Sequence, residues 1–246
     1  MSILKKTEVA RRICPVIFLL DTSGSMAGQP IGAVNAAIEG VLPELISMNN
    51  DNPDVQIETA ILTFDSGICW VTGDNGLINP ENHAWNDLNA SGTTSMGAAF
   101  NELNNALSVS HGFMNRASGS VAPVLFLLSD GEPSDEYLDG LQKLKDNNWF
   151  KVAGRVAIGY GQSNDSVLAE FTGNSETVLH TNDPNDLKKL IKFVAITSSM
   201  VASKGKAVAA QGTTPADQQS ANDMTNTLAD VLKNSPPSLA SDDTDW

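Results

Sequence analysis

Residues 16–26 read VIFLLDTSGSM, an apolar run that ends on an acid followed by two alternating serines. An unbroken apolar run of this kind is typical of a strand buried on both faces of a parallel sheet. Asp21, Ser23 and Ser25 then fall on the loop after the strand. Ligands of open α/β sheets bind at that edge, beyond the carboxyl ends of the strands. The stretch therefore predicts both a sheet and a binding site at its edge.

Two later segments carry residues of the same chemistry. Residues 92–97 read GTTSMG, and residues 127–131 read LLSDG, in which Asp130 follows the apolar run 124–128. Carboxylate and hydroxyl oxygens are hard ligands that suit Mg²⁺ or another hard divalent cation. The three segments together predict one cation site.

Strand-like and helix-like segments alternate over the chain, which predicts an α/β fold with a doubly wound, mostly parallel sheet and helices on both faces. Strands are expected at 16–20, 55–64, 124–128, 152–160 and about 177–179, with 68–72 as an antiparallel edge strand. Helices are expected from residue 30 to about 45, at about 96–107, 137–144 and 167–171, and at 184–203. Pro43 is expected to kink or shorten the first helix.

Composition changes at both ends of the chain. Residues 1–11 are interpreted as an N-terminal extension, 12–203 as the domain, and 204–246 as a flexible acidic tail rich in Gly, Thr, Pro, Gln and Asp. One short amphipathic helix is expected near 221–233.

The charge and the two cysteines exclude several classes of protein. A net charge of -14 argues against a nucleic-acid partner, which basic clusters would bind. No run of eighteen apolar residues occurs, so no membrane span is expected. Cys14 and Cys69 lie far apart with no second metal ligand nearby, which favours a reducing cytoplasm.

The motif from Asp21 to Ser25 resembles the Asp-x-Ser-x-Ser motif of von Willebrand factor type A domains, and the resemblance covers about 12–203. The metal-ion-dependent adhesion site of that family adds a threonine from a second loop and an aspartate after a later strand. The resemblance implies that Ser23 and Ser25 coordinate the metal through hydroxyls, and that Asp21 and Asp130 bind it directly or through water.

The same resemblance selects the threonine. Thr94 stands three residues before Gly97, as in the Thr-x-x-Gly spacing of the family, and is the expected hydroxyl ligand. Thr93 is the second choice, with capping of the next helix as its other role. Ser95 and Ser129 are expected to be loop or cap residues.

The resemblance implies recognition without turnover. Two carboxylates and three hydroxyls leave one position open on Mg²⁺, or on Mn²⁺ or Ca²⁺, for a Glu or Asp of a protein partner. More narrowly, DTSGSMAGQPI, TSMGAA and SDGEPSD resemble the bacterial TerY/YegL-like group, which is associated with tellurium resistance. That likeness implies a stress-response or phage-defence setting, with a protein kinase or a PPM-type phosphatase as partner.

Other functions stay open. A metal-dependent phosphotransferase or hydrolase would need a second acid where Ser23 stands, and a serine nucleophile would need a histidine base near the acid loops. A structural scaffold with an unused metal site is the third class. The tail acids Asp242, Asp243 and Asp245 could dock into the site and cause self-association, although a solvated tail is the preferred interpretation.

Overall fold

The computed structural model of the chain describes residues 11–73, 76–115, 119–130, 132–203, 207–208 and 227–234. The strands are β1 (Arg12–Asp21), β2 (Val55–Phe64), β3 (Ile68–Trp70), β4 (Ser120–Val121), β5 (Val124–Ser129), β6 (Gly154–Tyr160), β7 (Val178–Thr181) and β8 (Ala207–Val208). The helices are α1 (Gln29–Asp51), α2 (Met96–Ala106), α3 (Tyr137–Asp146), α4 (Asn148–Val152), α5 (Asp165–Thr172), α6 (Pro184–Ser203) and α7 (227–234).

The strands form one sheet in the order β3-β2-β1-β5-β6-β7. β1 is parallel to β2 on one side and to β5 on the other, whereas β3 is antiparallel to β2 at the edge. The predicted mostly parallel α/β fold with an antiparallel edge strand is therefore confirmed. The two-residue strands β4 and β8, which pair antiparallel beside β1, are too short to leave a pattern in the sequence.

Helices cover both faces of the sheet. Side chains alternate along each strand, and β1 therefore projects apolar side chains from both faces. Val16, Phe18 and Leu20 of β1 belong to a core that α1, α6 and α7 close. Ile17 and Leu19 point to the other face, where residues of α2, α3, α4 and α5 complete a second core. β1 is thus buried on both faces, as its unbroken apolar sequence predicts.

α1 does not end at Pro43, and the expectation of a shortened helix is wrong. Pro43 is exposed, while Leu42 and Leu45 beside it are buried in the core. Farther along, Asn49 exchanges two hydrogen bonds with the main chain of Ile57, at 2.6 and 2.9 Å. The burial of Leu45 and the bonds of Asn49 thus stabilise the turns that follow Pro43, and α1 continues to Asp51.

A second difference concerns the start of β6. The sequence predicts a strand from residue 152, but α4 occupies Asn148–Val152 and β6 begins at Gly154. The side chain of Asn147 accepts hydrogen bonds from the main-chain N–H groups of Trp149 and Phe150, at 2.9 and 3.3 Å. This cap starts a short helix within an apolar segment that has the composition of a strand.

α1 is also long and apolar enough to cross a membrane by length and composition alone, the one such helix among the described residues. Its buried residues include Val34, Ile38 and Val41, which pack into the core against the sheet. We therefore interpret α1 as a core helix of the domain.

Beyond residue 203 the structure describes residues 207–208 and 227–234. β8 pairs with β4, and α7 buries Leu228 and Leu232 in the core that α1 covers. The domain boundary at 203 stays a prediction. Residues 1–10, most of the predicted tail and its acids at 242–245 lie outside the described residues.

Candidate metal centre

The two predicted carboxylates lie at the point where the strand order reverses. The chain runs from β1 to β2 on one side of β1 and returns to pair β5 on the other side. Asp21 is the last residue of β1, and Asp130 directly follows β5. Parallel pairing of Leu20 with Leu128 brings both acids to the carboxyl edge of the sheet, at the crevice that open α/β sheets use for ligands.

Asp21 is fully buried and accepts two hydrogen bonds. Its Oδ1 accepts from the main-chain N–H of Ser23 at 2.8 Å, and its Oδ2 accepts from the hydroxyl of Ser129 at 2.6 Å. Burial raises the pKa of Asp21, the bonds from Ser129 and Ser23 oppose that shift, and the charge of Asp130 adds to it. A cation beside this carboxylate would stabilise its ionised form.

A row of oxygens leads from Ser23 to Asp130. The hydroxyls of Ser23 and Ser25 are 3.1 Å apart, and the hydroxyl of Ser25 donates to Oδ1 of Asp130 at 2.8 Å. Ser23 is buried, Ser25 is exposed and Asp130 is half-buried. Burial raises the pKa of Asp130, and the bond from Ser25 opposes that rise. The structure thus brings together Asp21 and this row of oxygens, four of the five predicted ligand residues.

Thr94 lies on the neighbouring loop and is buried. Its main chain is fixed by Ser134, which accepts from Thr94 N–H at 3.0 Å and donates to Thr94 C=O at 2.9 Å. The Thr94 hydroxyl has no hydrogen-bond partner among the described residues. Thr93 is exposed instead, and its hydroxyl donates to Ser66 Oγ at 3.4 Å. This arrangement favours Thr94 over Thr93, and the complete ligand set stays a prediction.

The loop of Thr94 is joined to the first loop through main-chain contacts. Gly24 N–H donates to Gly92 C=O at 3.0 Å, and Ser91 N–H donates to Thr22 C=O at 2.8 Å. These bonds hold the loop that carries Ser23 and Ser25 against the one that carries Thr94. The three segments singled out in the sequence therefore form one structural unit.

Thr93 does not cap α2, contrary to the sequence-based expectation. The first turn is capped by Asp135, whose carboxylate accepts from the N–H groups of Gly97 and Ala98 at 2.9 and 3.0 Å. A glycine is required at position 97, because a Cβ there would lie 2.8 Å from the Cα of Tyr137. Asp135 therefore fixes the helix that follows Thr94 to the loop that follows Asp130.

The chemistry of this oxygen set fits a hard divalent cation. Carboxylate and hydroxyl oxygens are hard ligands, and neighbouring oxygens of the row lie 3.1 and 2.8 Å apart. Within the described part of the chain, no three His, Cys, Asp or Glu side chains converge on a metal site of another type.

Three functional contacts are not found by sequence reasoning. Ser129 holds Asp21, Ser134 holds Thr94, and Asp135 caps α2. Ser129 could be found once β1 is known to pair with β5, since that register places it beside Asp21. The contacts of Ser134 and Asp135 cannot be predicted from a single sequence, because they depend on how two loops pack together in the folded protein.

Another cluster lies at the same edge of the sheet, on β7, the loop after β6 and the first residue of α5. Nδ1 of His180 is 3.1 Å from Oδ1 of Asp165, and Nε2 of His180 is 3.0 Å from Gly161 C=O. Burial lowers the pKa of His180, but the contacts with Asp165, Asn182 and Gly161 outweigh it, and the pKa is raised. An imidazolium, which donates from both nitrogens, satisfies both oxygen acceptors.

Comparisons with known proteins agree with this fold. The sequence model of the von Willebrand factor type A domain matches residues 16–193. A comparison with curated proteins found no match. The chain is similar to the structure of proximal thread matrix protein 1 from the mussel byssus, with a TM-score of 0.58 and 18% identity over 75% of this chain and 48% of that one. A structure of that mussel protein with a zinc-occupied MIDAS motif gives a TM-score of 0.57 and 20% identity, over 76% and 48% of the two chains.

A bacterial domain is similar over most of its length. The von Willebrand factor domain of the type V pili tip protein Mfa5 from Porphyromonas gingivalis gives a TM-score of 0.58 at 10% identity, over 81% of this chain and 99% of that one. By contrast, the chain spans about half the length of the mussel protein, and 43% of a von Willebrand factor type A protein from Catenulispora acidiphila. At these identities the likeness to solved structures shows the fold alone.

Proposed function

Because this chain belongs to the von Willebrand factor type A family, we propose that it is a metal-dependent protein-binding module which docks an acidic side chain of a partner protein. The observation that carries the proposal is the row of oxygens at the carboxyl edge of β1 and β5. Asp21, Ser23, Ser25 and Asp130 are joined there by hydrogen bonds, and the loop of Thr94 is held against the loop of the two serines.

Asp21, Ser23, Ser25, Thr94 and Asp130 would hold the cation. When bound, a divalent cation supplies a positive charge and an open position for an anionic ligand. Hydrogen bonds within the chain already fix the loops that carry these residues, so that they are in place before a cation binds. These preset contacts keep the entropy cost of ordering the site low.

We propose binding without turnover. Among the described residues, no histidine is hydrogen-bonded to either acid, and the hydroxyl of Ser23 contacts the hydroxyl of Ser25 and the carboxylate of Asp21. The serine hydroxyls therefore lie beside carboxylates and have no histidine base to activate them as nucleophiles. Ser23 also stands two residues after Asp21, where a phosphotransferase of the aspartate type would need an acid. Both observations favour recognition over chemistry.

The metal is proposed to be Mg²⁺, with Mn²⁺ or Ca²⁺ as alternatives, because carboxylates and neutral hydroxyls are hard oxygen ligands. Calorimetric titration of the metal-free protein with MgCl₂, MnCl₂ and CaCl₂ tests this choice. We expect Ca²⁺ to bind more weakly than Mg²⁺, since five side-chain ligands supply fewer oxygens than the six to eight that Ca²⁺ takes. Tighter binding of Ca²⁺ would contradict the proposed fit.

Capture of partners from the source cell tests docking itself. Immobilised wild type in excess Mg²⁺ is compared with the same protein in EDTA and with Asp21→Asn. Asp87→Asn removes the same charge from an exposed position and serves as the matched control. We expect a partner that is retained by wild type and by Asp87→Asn in Mg²⁺ and lost in the other two samples. Equal recovery in all four samples would refute docking through a metal and favour a scaffold with an unused site.

The biological setting rests on the sequence resemblance to the TerY/YegL-like group alone. On that ground we propose a role in a bacterial stress-response, tellurite-resistance or phage-defence system, with a protein kinase or a PPM-type phosphatase as partner. A cytoplasmic location accords with the two cysteines, which are unpaired. Tellurite sensitivity of a deletion strain, rescued by wild type but not by Asp21→Asn, would support this setting. Unchanged sensitivity after deletion would exclude the tellurite role.

A further inference from the structure

A second concave site lies away from the metal centre, between the edge strand β3 and the end of α2. It is a cavity of about 160 Å³, and Trp70, Glu102, Gly112 and Phe113 are among its lining residues. Pockets for drug-sized ligands measure roughly 300–1,000 Å³. This cavity therefore suits a small head group or a single side chain.

Two aromatic rings form one wall of the cavity. The rings of Trp70 and Phe113 meet edge to face, with centroids 5.0 Å apart and planes at 63°. Both side chains are half-buried, so they remain accessible to a ligand. The face of an aromatic ring carries negative electrostatic potential and attracts cations, with Trp the strongest.

A carboxylate without a cationic partner completes this wall. Oε1 of Glu102 accepts from Nε1 of Trp70 at 2.8 Å, and Oε2 accepts from the amide of Asn105 at 3.4 Å. Both donors are neutral, and no Lys or Arg among the described residues pairs with Glu102. A carboxylate has about four lone-pair positions, so two remain for a ligand. Glu102 is thus a half-buried negative charge with unused acceptor capacity.

The end of α2 adds partial negative charge. Gly112 packs against the last helical carbonyls, where a Cβ would lie 2.3 Å from Ala106 C=O and 2.4 Å from Asn105 C=O. The N–H of Phe113 donates to Ala106 C=O at 2.7 Å, which closes the loop onto the helix end. The C-terminus of a helix dipole favours cations. Two aromatic rings, a carboxylate that no described Lys or Arg pairs with, and the C-terminal end of a helix therefore favour a cation here.

We propose that this pocket binds an organic cation, with a guanidinium group as its best ligand. A planar guanidinium stacks on aromatic rings and donates to a carboxylate in a fork, which an ammonium cannot do. His111 also lines the cavity, but with Glu102 it gives a metal ion only two such ligands, and no group of three His, Cys, Asp or Glu side chains lies here among the described residues. The cation could be a free small molecule or an arginine side chain. Ile68 precedes Trp70 by two residues on the same face of β3 and is 40% exposed, which offers apolar support for an arginine stem.

Titration of the full chain with methylguanidinium chloride, at ionic strength held constant with NaCl, tests the pocket. The readout is the indole N–H signal of Trp70 in nitrogen–proton correlation spectra, assigned by its absence in Trp70→Phe. Methylurea has a similar planar shape without the charge and serves as the neutral ligand control. We expect a saturable shift with methylguanidinium and none with methylurea.

Two protein variants separate this site from general attraction to an acidic protein. Glu102→Gln keeps the acceptor for Trp70 and is expected to weaken methylguanidinium binding about tenfold. Glu39→Gln removes the same charge from an exposed position of α1 and is expected to bind as wild type does. An unsaturable shift, an equal shift with methylurea, or equal weakening by both variants would overturn the proposal.

A second arm identifies the source of the cation. N-acetyl-arginine methylamide is titrated beside methylguanidinium, into wild type and into Ile68→Ser. Tighter binding of the capped arginine, lost in Ile68→Ser, would assign the pocket to an arginine side chain. Equal affinities for the two ligands would assign it to a free guanidinium compound. Failure of both ligands to bind would refute the site and would leave the metal centre untouched, because neither ligand contacts it.

Discussion

Ser129 donates a hydrogen bond of 2.6 Å to the buried carboxylate of Asp21 across the paired strands β1 and β5. The bond supports the ionised form of an acid whose pKa burial raises. It also joins the end of β1 to the residue that precedes Asp130. The position of one acid thus depends on the strand that carries the other.

Asp21→Asn should separate stability from metal binding. Because burial raises the pKa of Asp21 above 3.8, the unfolded chain releases this proton first, and the metal-free protein loses stability as pH rises between the two values. The neutral amide removes that penalty, so the melting temperature in EDTA should equal or exceed that of wild type at neutral pH. Excess Mg²⁺ at about 100 times its Kd should raise the wild-type melting temperature by roughly 5–11 °C, and that of Asp21→Asn hardly at all. An equal rise of the melting temperature in wild type and Asp21→Asn would contradict the role of Asp21 as a metal ligand.

Ser129→Ala should show a penalty that depends on pH. The hydroxyl stabilises the charged carboxylate, so its loss should cost about 1–3 kcal/mol of unfolding free energy near neutral pH. That stabilisation is present where Asp21 is ionised and disappears as pH falls through its folded-state pKa. Urea unfolding at a series of pH values checks this, with the exposed Ser166→Ala as control. A penalty that is constant at all pH values would indicate a packing effect instead.

Asp135→Ala should destabilise α2 from outside that helix. The substitution leaves the N–H groups of Gly97 and Ala98 without their acceptor and should cost about 0.5–2 kcal/mol. Asp135→Asn keeps one acceptor and should cost less. Equilibrium unfolding measures the order wild type, Asn, Ala, and exposed Asp87→Ala controls for charge. An Ala variant as stable as wild type would show that the cap is unimportant.

Two glycine substitutions should have opposite signs. At Gly97 a Cβ would lie 2.8 Å from the main chain of Tyr137, so Gly97→Ala must push α2 from α3 and should cost about 1–3 kcal/mol. At Gly32, within α1, a Cβ meets no atom within 4 Å, and Gly32→Ala should stabilise the protein by about 0.5–1 kcal/mol. The denaturant concentrations at which the two variants are half unfolded, compared with that of wild type, test both expectations. The same sign for both would contradict the close helix contact.

Two histidines should titrate on opposite sides of the ordinary value of 6.5. Burial lowers the pKa of His83, whereas the contacts with Asp165 outweigh burial and raise the pKa of His180. The stabilisation from His180 is complete below 6.5 and is lost as pH rises through its folded-state pKa. Proton NMR titration gives both values in one sample, and Asp165→Asn should lower that of His180. The reverse order of the two histidines would refute this assignment.

The sequence predicts much of the fold because β1 and β5 are buried on both faces and therefore read as unbroken apolar runs. It also identifies Asp21, Ser23, Ser25 and Asp130 as neighbours, since each follows such a strand at the same edge. What it misses depends on contacts between distant segments. Pro43 does not end α1, whose later turns are stabilised by buried Leu45 and by the bonds of Asn49 to β2, and no local pattern shows those contacts.

The caps show the same limit. Thr93 has the chemistry and position of a helix cap, yet Asp135 takes that role from a loop 38 residues beyond Gly97 in sequence. Intrinsic preference therefore suggests which residues can cap, while the tertiary structure decides which one does.

The central position of β1 has a consequence for synthesis of the chain. Among the described strands β1 is made first, but the bond from Ser129 to Asp21 spans 108 positions, and β5 completes the pairing of β1 only after that stretch has been translated. Until then this apolar strand has an unpaired edge, which can pair with another nascent chain. Slower translation through residues 65–123 would therefore lengthen the exposure of the growing polypeptide to aggregation.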